Sequence, residues 1–342
     1  MSDLKSEMEK TARAMVAKGK GILAIDESFP TIKKRFDSIG IESTEENRRA
    51  YRDLLITAPG GAEYISGMIL FDETIRQSTA DGTPFPRALH DQGIMTGIKV
   101  DAGAKDLAGH PGEKVTEGLD GLRARFEEYR GLDARFAKWR AVITIGDGIP
   151  SSTCIEANAH ALARYAALAQ EAGIVPMVEP EVLMDGDNTI ERCYEVTLHT
   201  LKAVFDQMYR QGVSLEHTIL KTNMVISGKK CPVQAGIQQV AEMTVRCLRN
   251  AVAAYTLAAT GTYLYKKADV LCFYRRHLPD DLAFVRQVYD WKTDPQVRAE
   301  MVSGFQRNRD EYYALFRSCM PQLEAVVAQV KALDPGSLKL DE

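Results

Sequence analysis

Short apolar runs that carry or reach a charged residue recur along the chain and alternate with segments of helical periodicity. Six runs share this design, and the first two, GILAIDES and YISGMILFDE, reach Asp26 and Asp72. The other four are TGIKVD with Lys99, WRAVITIG beside Lys138, IVPMVEPE with Glu179, and HTILKTNM with Lys221. Alternation of such runs with helical segments is the pattern of parallel βα units, so we predict six parallel strands with helices between them.

The segments between the predicted strands carry the capping residues and the apolar spacing of helices. Ser43 with Glu46, and Thr153 with Glu156, have the spacing of a capping box, so each pair predicts a helix start. Gly212 is placed to end a later helix. The apolar stripes of the predicted helices comprise Tyr51, Leu54, Leu55 and Ala58, then Ile190, Tyr194, Leu198, Leu201, Phe205 and Met208, and finally Ile237, Val240, Ala241, Thr244, Cys247 and Leu248.

Strands that alternate with helices fit either an open doubly wound sheet or a closed TIM (β/α)8 barrel. An open sheet concentrates its site at one crevice, whereas a barrel gathers the carboxyl ends of all its strands around one mouth. Charged residues at most strand ends therefore favour an α/β fold of the TIM-barrel type, which we expect to form one domain over residues 1–342. Its mouth would gather Asp26, Lys99, Lys138, Glu179 and Lys221 from distant parts of the chain.

Composition narrows the classes of partner. The chain has 342 residues, 45% of them hydrophobic, and a formal net charge of −4, so no bulk positive field recruits nucleic acid or an acidic membrane. Charges are scattered through the first 20 residues, unlike a signal peptide, and no apolar stretch reaches the ~20 residues of a membrane span. We expect a cytoplasmic protein that binds a small molecule, with reduced, packing cysteines. The sequence is compatible with a homo-oligomer but does not give the number of subunits.

Lys221 is the candidate nucleophile, because it lies inside an apolar run where a charged amine would lose its hydration. Loss of hydration favours the neutral amine, which is the form that attacks a carbonyl to form an imine. A second cation nearby, Lys138, would favour that form further. The alternatives are ordinary ones: Lys221 snorkelling from a strand end to solvent, and Lys138 at a solvated helix end.

Carboxylates near the predicted strand ends are candidate proton carriers. Glu179 and Glu181 in VEPE lie two residues apart, on one side of an extended chain, where one can shuttle protons while the other orients its neighbours. Two surface glutamates flanking Pro180 are the alternative. Asp26 follows an almost wholly apolar strand and should emerge at the mouth, although Asp26 or Ser28 would also serve as an N-cap for the next helix.

Basic residues near the first and third strands would suit a phosphate group. Arg35 offers bidentate hydrogen bonds and Lys99 a point charge, although most basic side chains are simply solvated. Other chemistries have less support in the sequence. The six histidines include no pair at metal-ligand spacing, Gly146 and Gly148 lack the third glycine of a dinucleotide fingerprint, and no P-loop or GxSxG motif occurs. We therefore predict no metal and no organic cofactor.

Together these stretches make the chain resemble class I fructose-bisphosphate aldolases. The matches cover residues 1–250, in family order, and read GKGILAIDES, STEENRRAYRDLL, ILFDET, GIKVD, GLDGL, FAKWR, AHALARYA, GIVPMVEPE and ILKTNMV. The resemblance implies a TIM barrel that acts on a phosphorylated sugar, with Lys221 forming the imine, although Thr222 stands where proline is usual. It also implies Glu179 as proton shuttle, Asp26 as the base at the breaking carbon–carbon bond, and Lys138 poising the nucleophile. The implied polar lining and phosphate-binding residues are Lys99, Arg140, Glu181, Ser28, Thr31 and Arg35.

The last quarter of the chain departs from the family pattern. The LSGGQ and GRALQ stretches, which bind the other substrate phosphate in the family, are not present in residues 251–342. Residues 252–269 are also fewer than the about 30 that a βαβ unit needs, so closure by strands seven and eight is left open. The best candidate for the eighth strand is ADVLCFY at residues 268–274, with Arg275 or Arg276 as a phosphate ligand, and Asp294 and Pro295 would start a later helix.

Three functions are compatible with this sequence. The leading hypothesis is reversible cleavage of fructose 1,6-bisphosphate into dihydroxyacetone phosphate and glyceraldehyde 3-phosphate, with covalent catalysis in place of a metal. The second is a barrel that keeps the mouth but has lost turnover and serves as a binding or scaffold protein, because a missing phosphate clamp sacrifices binding energy. The third keeps imine chemistry but takes a sugar with one phosphate.

Overall fold

The computed structural model describes residues 2–252 and 257–260, with the backbone alone at residues 2, 3 and 257–260. These residues lie within one compact unit, Met1–Leu264. The strands are β1 (Gly21–Ala24), β2 (Ile65–Leu70), β3 (Met95–Lys99), β4 (Ala104–Asp106), β5 (Lys114–Thr116), β6 (Phe136–Ile143), β7 (Val175–Val182), β8 (Ile219–Thr222) and β9 (Leu257–Thr260). The helices are α1 (Ser2–Met15), α2 (Phe29–Asp37), α3 (Glu45–Ile56), α4 (Gly61–Tyr64), α5 (Asp72–Ile75), α6 (Phe85–Asp91), α7 (Leu122–Gly131), α8 (Ser152–Glu171), α9 (Ile190–Arg210) and α10 (Ile237–Ala251), with a 3-10 turn at Leu215–His217.

The main sheet is parallel and curled, and its strands follow chain order. Its seven strands run β1-β2-β3-β6-β7-β8-β9, with helices in the connections. All six predicted strands are present, so the α/β prediction is confirmed. Within the described residues β1 and β9 are the two edges of the sheet. The predicted eighth strand, Arg275, Arg276 and the helix start at Asp294 lie outside those residues.

Two features of the sheet differ from the prediction. β6 begins at Phe136, before the predicted start at Trp139, so Lys138 lies inside the strand and is buried, which excludes the alternative of a solvated helix end. A two-stranded antiparallel hairpin, β4 with β5, was not predicted; it follows β3 and packs against α8. Its strands are only three residues long and each contains a lysine, so they lack the apolar run that marked the others.

The predicted capping boxes place the helix starts one or two residues away from the observed ones. The N-cap of α3 is Thr44, whose hydroxyl accepts from the Asn47 N–H at 3.2 Å, and not Ser43. The N-cap of α8 is Ser151, which accepts from the Cys154 N–H at 3.1 Å, and not Thr153. Neighbouring hydroxyl residues satisfy the same pattern, and spacing alone does not choose between them.

The buried face of α3 was also predicted wrongly. Leu54 is 71% exposed, whereas Arg52 is only 1% exposed and donates to the Ile25 and Glu27 carbonyl oxygens. Arg52 can be buried here because its Nε and Nη2 donate to backbone carbonyls and Nη2 also contacts the Glu27 carboxylate, whereas Nη1 has no hydrogen-bond partner among the described residues. The stripes of α9 and α10 pack as predicted at Leu201 and Val240, but Ile237, the first residue of the predicted α10 stripe, is exposed. Gly212 follows α9 with a φ of 69°.

Helix α1 seals the amino-terminal end of the sheet with apolar side chains. Met8, Ala12 and Met15 pack there in one buried cluster with residues of four strands, namely Ile69, Phe136, Val175, Met177 and Ile219. The Phe136 ring lies so close to Gly97 that a Cβ there would come within 2.2 Å of it. This end of the sheet therefore forms a closed apolar core. No helix in the described part of the chain is long and apolar enough to cross a membrane.

Candidate active site

Lys138 is at the centre of a buried cluster at the carboxyl-terminal side of the sheet. It projects from β6, and its Nζ donates to Asp26 Oδ2 at 2.9 Å. The same nitrogen lies 3.1 Å from Glu179 Oε2, which makes a second ion pair. Asp26 follows β1 and Glu179 lies on β7, next to Lys138's own strand. The parallel sheet thus brings Asp26, Lys138 and Glu179 into contact although they are far apart in the sequence.

Lys221 completes the cluster from β8. Its Nζ donates to Glu179 Oε1, so the Glu179 carboxylate lies between the two amines and contacts both. The Lys221 side chain is 21% exposed, whereas those of Lys138 and Glu179 are 7% and 8% exposed. Lys221 is therefore the member of the cluster that a substrate can reach from solvent, while the others form the wall behind it.

Charge complementarity sets the protonation of the cluster. Burial would raise the pKa of Asp26, but the charge and hydrogen bond of Lys138, with the charges of Lys221 and Lys99, lower it below its usual range. Burial would lower the pKa of Lys138, but Asp26, Glu179 and Asp101 raise it well above its usual range. Asp26 is thus a carboxylate and Lys138 an ammonium group at neutral pH.

Two further ion pairs extend this lining. Lys99, the last residue of β3, donates to Asp101 Oδ1 at 2.7 Å and to the Asp101 carbonyl at 2.9 Å. Arg140, two residues after Lys138 on the same face of β6, pairs with Glu181 on β7. Glu179 and Glu181 are both buried, so the alternative of two surface glutamates is excluded. Their spacing of two residues places both on one face of the strand, as predicted.

The predicted phosphate-binding residues form a second group, around the start of α2. Ser28 Oγ and Thr31 Oγ1 lie 3.2 Å apart, and Arg35 pairs with Glu27. Ser28 occupies the N-cap position of α2 but its side chain caps no N–H group. The Arg35 side chain is 59% exposed and Glu27 only 7%, so the arginine is the accessible partner.

Sequence reasoning missed residues that orient the predicted ones. Asp101 holds Lys99, and Glu27 holds Arg35 while also contacting Arg52 Nη2 at 3.4 Å. Asn223 links β7, β8 and α9 through its side-chain amide. In the sequence, only their positions could have indicated them: Glu27 directly follows Asp26, and Asp101 and Asn223 each lie two residues after a predicted site lysine.

Among the described side chains, no group of three or more His, Cys, Asp or Glu residues is arranged to hold a metal ion. The site combines an accessible amine, Lys221, with a carboxylate in contact with it, Glu179. A second amine, Lys138, and a second carboxylate, Asp26, lie next to this pair. An amine placed in this way can attack a carbonyl carbon while Glu179 exchanges protons.

Comparisons with known proteins agree with this geometry. The model of the family described as fructose-bisphosphate aldolase class-I matches residues 7–261. A "probable fructose-bisphosphate aldolase class 1" of Xanthomonas campestris is 68% identical over 248 residues, which are 72% of this chain and 74% of that protein. The fructose-bisphosphate aldolase of Dictyostelium discoideum is 50% identical over 254 residues, covering 73% of this chain and 71% of its own.

A solved structure extends the likeness to three dimensions. The fructose-bisphosphate aldolase of Plasmodium falciparum, solved in complex with TRAP and a small-molecule inhibitor, is 39% identical to this chain. It superposes with a TM-score of 0.79, covering 90% of this chain and 93% of its own. The family resemblance that the sequence motifs predicted is thereby confirmed. The chain belongs to the class I fructose-bisphosphate aldolase family.

Proposed function

We propose that the chain is a Schiff-base aldolase that reversibly cleaves fructose 1,6-bisphosphate into dihydroxyacetone phosphate and glyceraldehyde 3-phosphate. The observation that carries this proposal is the contact of one carboxylate, Glu179, with two amines, the accessible Lys221 and the buried Lys138. The nucleophile, its proton acceptor and a fixed positive charge are then within contact distance of each other.

Imine formation is assigned to Lys221 and Glu179. The Lys221 nitrogen attacks the ketone carbon, and the proton that this amine must lose has an acceptor in place at Glu179 Oε1. Glu179 then returns a proton to the former carbonyl oxygen, which leaves as water while the carbon–nitrogen double bond forms. The Lys138 ammonium group lies 3.1 Å from Glu179 Oε2 and holds that side chain in position between these transfers.

Bond cleavage is assigned to Asp26. Its carboxylate accepts the proton of the hydroxyl on the carbon beyond the breaking bond, and that oxygen becomes the aldehyde of glyceraldehyde 3-phosphate. The electron pair of the carbon–carbon bond moves toward the iminium nitrogen and leaves an enamine. Protonation of the enamine carbon and hydrolysis of the imine release dihydroxyacetone phosphate and restore Lys221. The lowered pKa of Asp26 keeps it in the accepting form at neutral pH.

One substrate phosphate is assigned to Ser28, Thr31 and Arg35, with Lys99, Arg140 and Glu181 as further polar lining. Arg35 is exposed and its present partner is Glu27, so a phosphate dianion can replace that partner at small cost. The two hydroxyl groups beside it supply further donors.

Borohydride trapping tests the proposal directly. Incubation with dihydroxyacetone phosphate and borohydride should reduce the imine to a stable secondary amine, giving one adduct per chain, at Lys221. Lys221→Met should abolish the adduct, and Lys202→Met, which changes an exposed lysine on α9, should leave it intact. An adduct on another lysine, or none, would refute imine chemistry at Lys221.

A coupled assay separates the proposed enzyme from the two other functions. Cleavage of fructose 1,6-bisphosphate that resists EDTA supports the Schiff-base aldolase, whereas ligand binding without turnover supports a scaffold protein. The ratio of kcat/KM for fructose 1,6-bisphosphate to that for fructose 1-phosphate measures how much the second phosphate contributes. A ratio near one would assign the chain a substrate with a single phosphate.

A further inference from the structure

Pairing between β7 and β8 ends just before the residues that carry the chemistry. Its register is Met177↔Ile219 and Val178↔Leu220, and the next positions along the two strands are Glu179 and Lys221. On its other side, β8 pairs with β9 through Lys221 and Thr222. The missing backbone pairing therefore falls between the proposed nucleophile and its proton carrier, and something else must set their separation.

The composition of β7 explains why the pairing ends. At the start of β7 the Val175 N–H donates to the Arg135 carbonyl, and just after its end the Leu183 N–H donates to the Ile143 carbonyl, so both point toward β6. The Val182 N–H instead donates to Asn223 and points toward β8. Backbone groups alternate in direction along a strand, so positions 176, 178 and 180 share the direction of Val182. Pro176 and Pro180 occupy two of these positions and have no N–H to donate.

Asn223 provides the connection that the backbone lacks. Its Oδ1 accepts the Val182 N–H at 3.0 Å, which ties the end of β7 to the residue two positions after Lys221. Its Nδ2 donates to Thr197 Oγ1 at 3.1 Å and to the Met224 carbonyl at 3.0 Å. Thr197 is a buried residue of α9, so the amide is fixed from the helix layer as well.

We propose that Asn223 is a positioning residue that holds the end of β8 against the end of β7, and so fixes Lys221 relative to Glu179 for imine formation. This inference rests on the proposed function. An amide suits the task because it accepts one hydrogen bond and donates two from a rigid planar group. Asn223 contacts neither Lys221 nor Glu179 through its side chain in the described hydrogen bonds, and acts through the strands that carry them.

Asn223→Ala tests the proposal, because it removes all three hydrogen bonds and leaves the side chains of Lys221 and Glu179 chemically unchanged. We expect kcat and the rate of borohydride trapping with dihydroxyacetone phosphate to fall about 10- to 100-fold, since small misplacements of reacting groups have effects of this size. KM should change less than about threefold, because the phosphate-binding residues near α2 are untouched.

Asn158→Ala is the matched control. Asn158 is also a buried amide: it accepts from Thr116 N and donates to the Lys114 and Cys154 carbonyls, with a longer contact of 3.7 Å to Cys154 Sγ. It joins the β4–β5 hairpin to α8, far along the chain from β8. We expect a loss of thermal stability similar to that of Asn223→Ala but trapping within about twofold of wild type. An equal slowing of trapping in both variants would show a general structural effect and overturn the proposal.

Thr197→Val keeps the test decisive if Asn223→Ala does not fold. This substitution removes one of the two acceptors of Asn223 Nδ2, together with a 3.8 Å contact to Cys193 Sγ, and we expect trapping to slow by about 3- to 10-fold. Unchanged trapping in a folded Asn223→Ala, or in Thr197→Val when the former does not fold, would overturn the positioning role. Wild-type protein that gives no adduct would instead refute the proposed function, so the two failures are distinguishable.

Discussion

The two ends of the same parallel strands differ in what they bury. At the amino-terminal end, Phe136, Val175 and Ile219 pack under α1 in an apolar core. A few residues further along the same strands, Lys138, Glu179 and Lys221 meet as buried or half-buried charges. Along β6 and β8 the buried or half-buried side chains therefore change from apolar to charged within two residues, from Phe136 to Lys138 and from Ile219 to Lys221.

Because of this difference, the residues that stabilise the fold and the residues proposed to react with substrate lie at opposite ends of the strands. Apolar burial contributes about 25 cal/mol per Å², whereas taking paired charges out of water costs free energy that their attraction only partly returns. The amino-terminal end can stabilise the fold without touching substrate, and the carboxyl-terminal end can hold reactive groups at some cost in stability. Substitutions at the two ends should therefore have opposite signatures in activity and stability.

Lys221→Met should give the largest effect and should act on activity alone. Methionine keeps most of the aliphatic side chain but has no amine, so turnover of fructose 1,6-bisphosphate should fall by about four orders of magnitude or more. Glu179 retains its ion pair with Lys138, so the free energy of unfolding should change by less than about 1 kcal/mol. Steady-state assays and denaturant unfolding measure the two quantities. A variant that keeps one-tenth of wild-type turnover would remove Lys221 from the mechanism.

Phe136→Ala should give the opposite signature. Its ring is fully buried against Gly67 and Gly97, and replacing a core phenylalanine by alanine typically destabilises a protein by about 3–5 kcal/mol. Because Phe136 lies two residues before Lys138, at the amino end of β6, the ionic cluster of Lys138, Asp26, Glu179 and Lys221 should survive in molecules that remain folded. Urea unfolding and kcat per folded molecule test this together. A kcat loss above about tenfold in folded protein would mean that the two ends are not separable.

Asp26→Asn should act on both quantities, because Asp26 belongs to the ionic cluster and is the proposed base. We expect kcat to fall about 10²- to 10³-fold, in the range of a lost general base. The substitution also leaves Lys138 with Glu179 as its remaining carboxylate partner, so a loss of stability should accompany it.

The pH dependence of stability gives a second measurement at the same residue. The folded-state pKa of Asp26 is lowered because Lys138, Lys221 and Lys99 outweigh the effect of burial. Its carboxylate thus contributes stability that is fully present above the unfolded pKa of about 3.9 and is lost as pH falls through the lower folded value. Wild type should lose this contribution below about pH 4, and Asp26→Asn should show a correspondingly shallower loss. Parallel stability curves for the two proteins in acid would contradict the lowered pKa.

The same contrast explains what the sequence could and could not predict. Apolar strand cores have a visible pattern, so all six runs were found, and the charged residues that interrupt them pointed to Asp26, Glu179 and Lys221. The partners of those charges are set by register between strands, which single-sequence periodicity does not contain. For this reason the Lys138 pairings and the roles of Asp101 and Asn223 emerged only in three dimensions.

Helix faces show a related limit. Arg52 is buried beside Ile56 while Leu54 is exposed, so the buried face of α3 includes a residue that contacts the Ile25 and Glu27 carbonyls and that a hydrophobic pattern does not mark. Thr244 was counted in an apolar stripe, yet its hydroxyl accepts the Val225 N–H at 2.9 Å and donates to the Val240 carbonyl at 2.6 Å. A polar atom that fastens a loop is indistinguishable, in sequence, from a small packing residue.

The smallest predicted effect concerns two threonines, Thr222 at the end of β8 and Thr244 on α10. Thr222, where the family usually has proline, buries a hydroxyl that has no hydrogen-bond partner among the described residues. A buried unsatisfied hydroxyl costs about 1–3 kcal/mol, so Thr222→Val should stabilise the protein, by about 1 kcal/mol after partial relaxation. Thr244→Val, the matched substitution on α10, should destabilise by a similar amount because it leaves the Val225 N–H without its acceptor. Thermal unfolding of both variants decides the point. Shifts of the same sign would show that hydrogen bonding of these hydroxyl groups does not govern stability around β8.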